Sequence, residues 1–121
     1  MIFETKDYAG IPVILSAETW QNKAGNGSPG SHPEIRGYLA DIQITIRSPG
    51  LVFESTRDTR SHAFYRLECG RDDFAGKHLV VIVKYVTESD DVRGYVSTVY
   101  LTRRVYAKGR LLWKKMESLA N

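Results

Sequence analysis

The stretch His78–Val86 restricts the fold more than any other part of this chain. It reads His-Leu-Val-Val-Ile-Val-Lys-Tyr-Val, with almost every position β-branched or aliphatic. Such a run has no polar face to offer water, so as a strand it must be central and covered on both sides. Its longest uninterrupted aliphatic stretch, Leu79 to Val83, falls far short of the roughly 20 residues that a membrane-spanning helix needs. No membrane partner is therefore expected.

Other segments supply neighbours for that strand. Leu51–Thr56, His62–Cys69 and Tyr95–Thr102 have strand composition, and their connections, Arg57–Ser61, Gly70–Lys77 and Thr87–Gly94, are short and polar. Short connections favour antiparallel pairing. Ahead of them lie two helical patterns. Ser16 reads as an N-cap, with Ala17, Trp20 and Ala24 on one face, and the glycine-rich stretch 25–30 stops that helix. Ser31 and Glu34 have capping-box spacing, and Pro33 suits a first helical turn. Ile35, Tyr38, Leu39, Ile42 and Ile46 then recur at helical spacing until Ser48-Pro49-Gly50. Ile2–Thr5 reads as a short edge strand and Ile11–Leu15 as a short apolar run, while 103–117 fits either a strand or a helix. Helices before strands predict an α+β fold, with two N-terminal helices packed on one face of a four-stranded antiparallel sheet.

At 121 residues the chain has the length of one domain, 1–121, with a basic C-terminal segment, 103–121. Arg103, Arg104, Lys108, Arg110, Lys114 and Lys115 face only Glu117 there, whereas the preceding residues carry a slight acidic excess. A polyanion could dock on such a segment; a solvated basic tail accounts for it equally. The N-terminal residues lack the basic-then-apolar order of a secretory signal, and Cys69 is the only cysteine. Both features lead us to expect a reducing, cytoplasmic setting. No cysteine or histidine pair has zinc-ligand spacing, so no metal or other cofactor is expected.

In the last strand Tyr95, Ser97, Val99 and Leu101 alternate with Val96, Thr98 and Tyr100. If the first set packs on the helices, Thr98 and Tyr100 project from the open face. Lys84 shares a side with Val80, Ile82 and Val86, and Arg66 belongs to the more polar set of its strand. Cations and hydroxyls on one face suit a phosphodiester, whose developing charge they stabilise. Strand propensity alone accounts for Thr98 and Tyr100 equally well. His32, in a first helical turn, is placed where free N–H groups attract anions and an imidazole can move protons near neutral pH. It fits a plain surface histidine just as well.

The order of these motifs resembles the phage-associated branch of the barnase–EndoU–colicin–RelE-like (BECR) nuclease superfamily. The resemblance is carried by Val13-Ile14-Leu15-Ser16 leading to Trp20, then His32-Pro33-Glu34-Ile35, Ile42 to Pro49 with Val52, and Phe64-Tyr65-Arg66. It continues through Val80 to Lys84, Gly94 to Tyr100, and Gly109-Arg110-Leu111-Leu112-Trp113. It implies metal-independent endoribonuclease activity, in which the ribose 2′-hydroxyl attacks the adjacent phosphorus. On this chain His32, Lys84, Thr98 and Tyr100 would be catalytic, and Arg66, Arg103 and Arg104 would bind RNA. Such an enzyme would act as a toxin or phage-derived effector with a neutralising protein partner. Similar sequences carry a histidine soon after the tryptophan, where this chain has Gln21, Asn22 and Lys23. That departure leaves room for a catalytically inactive RNA- or protein-binding module.

Overall fold

The computed structural model describes residues 1–25 and 30–116. Positions 26–29 of the glycine-rich stretch and 117–121 of the basic segment, Glu117 included, lie outside the described residues. The elements run β1 (Phe3–Lys6), β2 (Pro12–Leu15), α1 (Ala17–Ala24), a 3-10 helix (Pro33–Tyr38) and α2 (Leu39–Arg47). Then come β3 (Leu51–Glu54), β4 (Ser61–Arg66), β5 (His78–Glu88), β6 (Asp91–Thr102) and β7 (Leu111–Lys114).

All seven strands form one mixed sheet in the order β1-β2-β6-β5-β4-β3-β7. This corrects the expected four-stranded antiparallel sheet that follows two N-terminal helices. The two short apolar runs at the N-terminus form a hairpin that joins the sheet, and β2 lies parallel to β6 through Val13–Gly94 and Ile14–Tyr95. The tail resolves as β7, antiparallel to β3. Two- to four-residue pairings carry little periodicity of their own, so they form only because neighbouring strands complete their hydrogen bonds.

The helices also depart from expectation in detail. Ser16 caps α1, its side chain accepting from the Thr19 N–H at 3.0 Å. The second helix opens with the 3-10 turn, capped at His32 without a side-chain hydrogen bond. Ser31 and Glu34 therefore form no capping box; Glu34 approaches the His32 ring instead. The β5–β6 connection is tighter than the predicted Thr87–Gly94 loop. Ser89 and Asp90 both have positive φ (49° and 72°), the geometry of a two-residue type I′ hairpin.

The expected centrality of His78–Val86 is observed. β5 is the fourth of seven strands, and Leu79, Val80 and Val81 are fully buried. One core lies on the helix side, where Ile35, Ile42 and Ile46 meet Val52, Phe64, Leu79, Val81, Val83 and Val99. A smaller one lies on the opposite face, where Phe53, Tyr65 and Val80 pack with Tyr100 and Val105. The sheet curls enough for its two ends to meet. The Tyr8 ring, just past β1, lies 5.0 Å from Trp113 on β7 and 5.8 Å from Phe64 (centroid distances).

Gly94 sits where β2, β5 and β6 come closest. A Cβ there would lie 2.7 Å from Val83 Cγ1 and 3.0 Å from Val13 Cγ2. Gly94→Ala should therefore cost about 1–3 kcal/mol, the usual range for overpacking a core. Urea denaturation checks this, and an unchanged midpoint would show that the strands can spread.

Candidate functional site

A register shift in β6 decides which side chains share a face. Ile82 pairs with Thr98, yet Val83 pairs with Val96, so Ser97 is an extra residue bulged out of the ladder. Its hydroxyl donates to the Ile82 carbonyl at 3.2 Å. Simple alternation places Tyr95 with the inward set and Val96 with Thr98 and Tyr100. The bulge reverses both: Val96 is buried in the helix-side core, and Tyr95 pairs with Lys84. Thr98 and Tyr100 stay on the face away from the helices, opposite Ile82 and Val80.

His32 arrives at this face from the side. β2 pairs with β6 only at Gly94 and Tyr95, so beyond Tyr95 that edge has no strand neighbour among the described residues. The backbone N–H of His32 donates to the Lys23 carbonyl at 2.6 Å, holding the residue beside the end of α1. Its ring then lies 5.8 Å from that of Tyr100, centroid to centroid. Glu34 Oε1 is 3.3 Å from His32 Nδ1. Sequence spacing assigned Glu34 to a helix cap, although histidine and glutamate two residues apart could have signalled this dyad.

Tyr100 is half-buried. Burial raises its phenol pKa, and the neighbouring Tyr65 and Tyr106 add to the shift. The phenol keeps its proton at neutral pH, as an ordinary tyrosine does. Tyr65 is nearly fully buried beneath it, and its oxygen accepts from the Tyr106 N–H at 3.2 Å. Tyr65 entered the sequence reading only within the Phe64-Tyr65-Arg66 motif, and Tyr106 not at all. Phe64 and Arg66 share one set of β4, and the apolar member of that set decides which way it faces.

The remaining candidates are dispersed. Lys84 is on the same face as Tyr100, but four residues along β5 from Val80, the partner of Tyr100. That is roughly 13 Å at the strand rise. Lys84 Nζ is 3.7 Å from Asp58 Oδ2. The Asp58 carboxyl is held below its ordinary range by the Arg60 backbone N–H, with the Arg60 and Lys84 charges assisting. Arg66 pairs with Leu79 and so faces the helices, which corrects its expected place on the open face. Its Nη1 is buried with no hydrogen-bond partner among the described residues. Arg103 and Arg104 are exposed and directly follow β6, three and four residues after Tyr100.

Among the described residues no three His, Cys, Asp or Glu side chains cluster as a metal site, and no helix is long and apolar enough to cross a membrane. No protein-family model matches the chain, and neither the curated proteins nor the solved structures contain a match to it.

A second group of titratable side chains lies on the helix side of the sheet. The Tyr85 hydroxyl donates to Asp7 Oδ2 at 2.6 Å, and Asp7 Oδ1 accepts from the Ala9 and Ile11 N–H groups. The two N–H bonds close the β1–β2 turn around Asp7, and the Tyr85 hydroxyl ties that turn to the sheet. The His62 ring packs 4.8 Å from that of Tyr85. Burial lowers the His62 pKa below its ordinary 6.5, outweighing the upward pull of Glu54 and Asp7. The unfolded chain therefore takes up this proton first as pH falls. Stability from His62 is present above about pH 6.5 and is lost as pH drops through the lower folded value. Thermal melts at about pH 7.5 and about pH 5.5 should show a smaller drop for His62→Gln than for the unaltered protein. Equal drops would place the acid sensitivity elsewhere.

Proposed function

We propose that this chain is a metal-independent endoribonuclease whose centre is the His32–Tyr100 pair. The observation that carries the reading is the imidazole set against a half-buried phenol, with the Glu34 carboxylate beside the ring's Nδ1. One group suited to accept a proton and one suited to donate it are what phosphodiester transesterification requires. The resemblance to the BECR superfamily supports the same chemistry.

In this mechanism His32 Nε2 removes the ribose 2′-hydroxyl proton. The 2′-oxygen attacks phosphorus, the bond to the 5′-oxygen breaks, and Tyr100 protonates that oxygen as it leaves. The products are a 2′,3′-cyclic phosphate and a free 5′-hydroxyl. Thr98, two residues from Tyr100 on the same face, orients the phosphoryl group. Arg103 and Arg104 supply the positive charge that stabilises the pentacoordinate phosphorus. Lys84, held by Asp58 farther along the sheet, contacts RNA away from the scissile bond, and Arg66 has no part in binding. A cytoplasmic toxin or phage-derived effector, silenced by a protein partner, is the setting in which such an activity would serve.

The dispersal of Lys84 and Arg66 favours a second reading, an RNA-binding module of the same fold without cleavage. One assay separates the two. Purified protein incubated with total RNA and EDTA should yield fragments with cyclic-phosphate ends. His32→Ala and Tyr100→Phe should each slow this at least ~100-fold, the low end of a general acid–base contribution. Cleavage indifferent to both substitutions would remove the proposed centre, and RNA bound but left intact would favour the module.

A further inference from the structure

The chain between β6 and β7 has a long way to travel. β6 is third in the sheet and β7 seventh, so residues 103–110 must pass β5, β4 and β3. Four interstrand spacings amount to roughly 19 Å. Eight residues reach at most about 29 Å when fully extended, so the segment crosses with roughly a third of its reach to spare. It crosses the face opposite the helices, because Val105 packs on the smaller core of Phe53, Tyr65 and Val80. The Tyr106 N–H bonds the Tyr65 hydroxyl oxygen in the same place. Of the eight residues only Val105 is turned appreciably away from solvent.

The far end is fixed as well. Gly109 has φ +90°, and a Cβ there would collide with the Glu54 carbonyl oxygen. Arg110 is joined to Glu54 through its carbonyl at 2.8 Å and its guanidinium at 3.5 Å. The segment is thus a strap tied at both ends and pinned once in its span. The pin lies next to Tyr100, which packs with Val105 in the same core. Arg103 and Arg104 occupy the short stretch between the end of β6 and that pin.

We propose that Val105, seated on Tyr65, is a positioning residue that holds the Arg103–Arg104 pair beside Tyr100 and His32 for phosphate binding. This rests on the nuclease-site reading above and adds how the site's cations are placed. Apart from the Arg104 N–H, which donates to the Thr102 hydroxyl at 3.3 Å, little else among the described residues restrains the two arginines: both are exposed, and neither side chain has an ion-pair partner there. A shortened side chain at 105 lets the strap lift, and the pair then spreads over a larger volume without loss of charge.

The test is the salt dependence of binding to a non-cleavable 2′-O-methyl oligouridylate, whose slope reports the number of phosphates neutralised. Replacing both arginines with alanine should lower the slope by about 1.4, or about 0.7 for each contact on a single strand. Val105→Ala should reproduce most of that loss although both arginines remain, and Val105→Ile should retain the parent slope. Tyr65→Phe, which deletes one hydroxyl, should fall between them and speed amide exchange at Tyr106. It serves as the test if Val105→Ala fails to fold. Parent-like slopes in both Val105→Ala and Tyr65→Phe would overturn the positioning role and leave the nuclease reading standing. An absence of oligonucleotide binding by the unaltered protein at any salt would overturn both.

Discussion

A strand that is apolar on both faces must be covered on both, and β5 imposes that condition on the whole molecule. Leu79 and Val81 need one cover, and Val80 needs another. The 3-10 helix and α2 supply the first with Ile35, Ile42 and Ile46. No second helical layer exists among the described residues to supply the other. The chain meets the requirement by carrying 103–110 across the sheet, with Val105 over Phe53, Tyr65 and Val80. The same demand for burial therefore generates the face on which the candidate chemistry lies.

Covering β5 this way gives the two faces different characters. The helix side is a broad core closed at its rim by Tyr8 against Trp113 and by Tyr85 bonded to Asp7. The strap side is narrow, and its polar groups lie at the border of a small apolar patch. Partial burial there raises the Tyr100 phenol pKa, and the unpaired stretch of the β6 edge lets His32 approach from the helical layer. A full helical layer would close that edge and bury the phenol away from any substrate.

Several elements of this arrangement were legible in advance. The β-branched run announced a central strand, Ser16 announced α1, and the helical spacing from Ile35 to Ile46 announced the second helix. Thr98, Tyr100 and Lys84 were placed on one face by alternation, and they share it. Alternation misplaced Tyr95 and Val96, because one bulged residue inverts everything on its far side. It misplaced Arg66 because a long side chain was weighed by its charge, while Phe64 in the same set marked the buried face. The sheet was undercounted although Ile2–Thr5 read as an edge strand and 103–117 was left open to one, because four-residue segments such as β1, β2 and β7 carry no periodic signal that assigns them to a particular sheet.

By itself the sequence determined what each segment can be, since propensity, capping and hydrophobic period act over a few neighbouring residues. It determined the β5 core strand, both helices and the basic character of the C-terminal stretch. Tertiary structure alone decided the parallel pairing of β2 with β6, the extra residue at Ser97, and the meeting of His32 with Tyr100. Each of those joins groups from separate segments, so it depends on which backbone edge is left unpaired once the core has been filled. Local chemistry carries no record of that outcome, because burial is shared among strands that are distant along the chain.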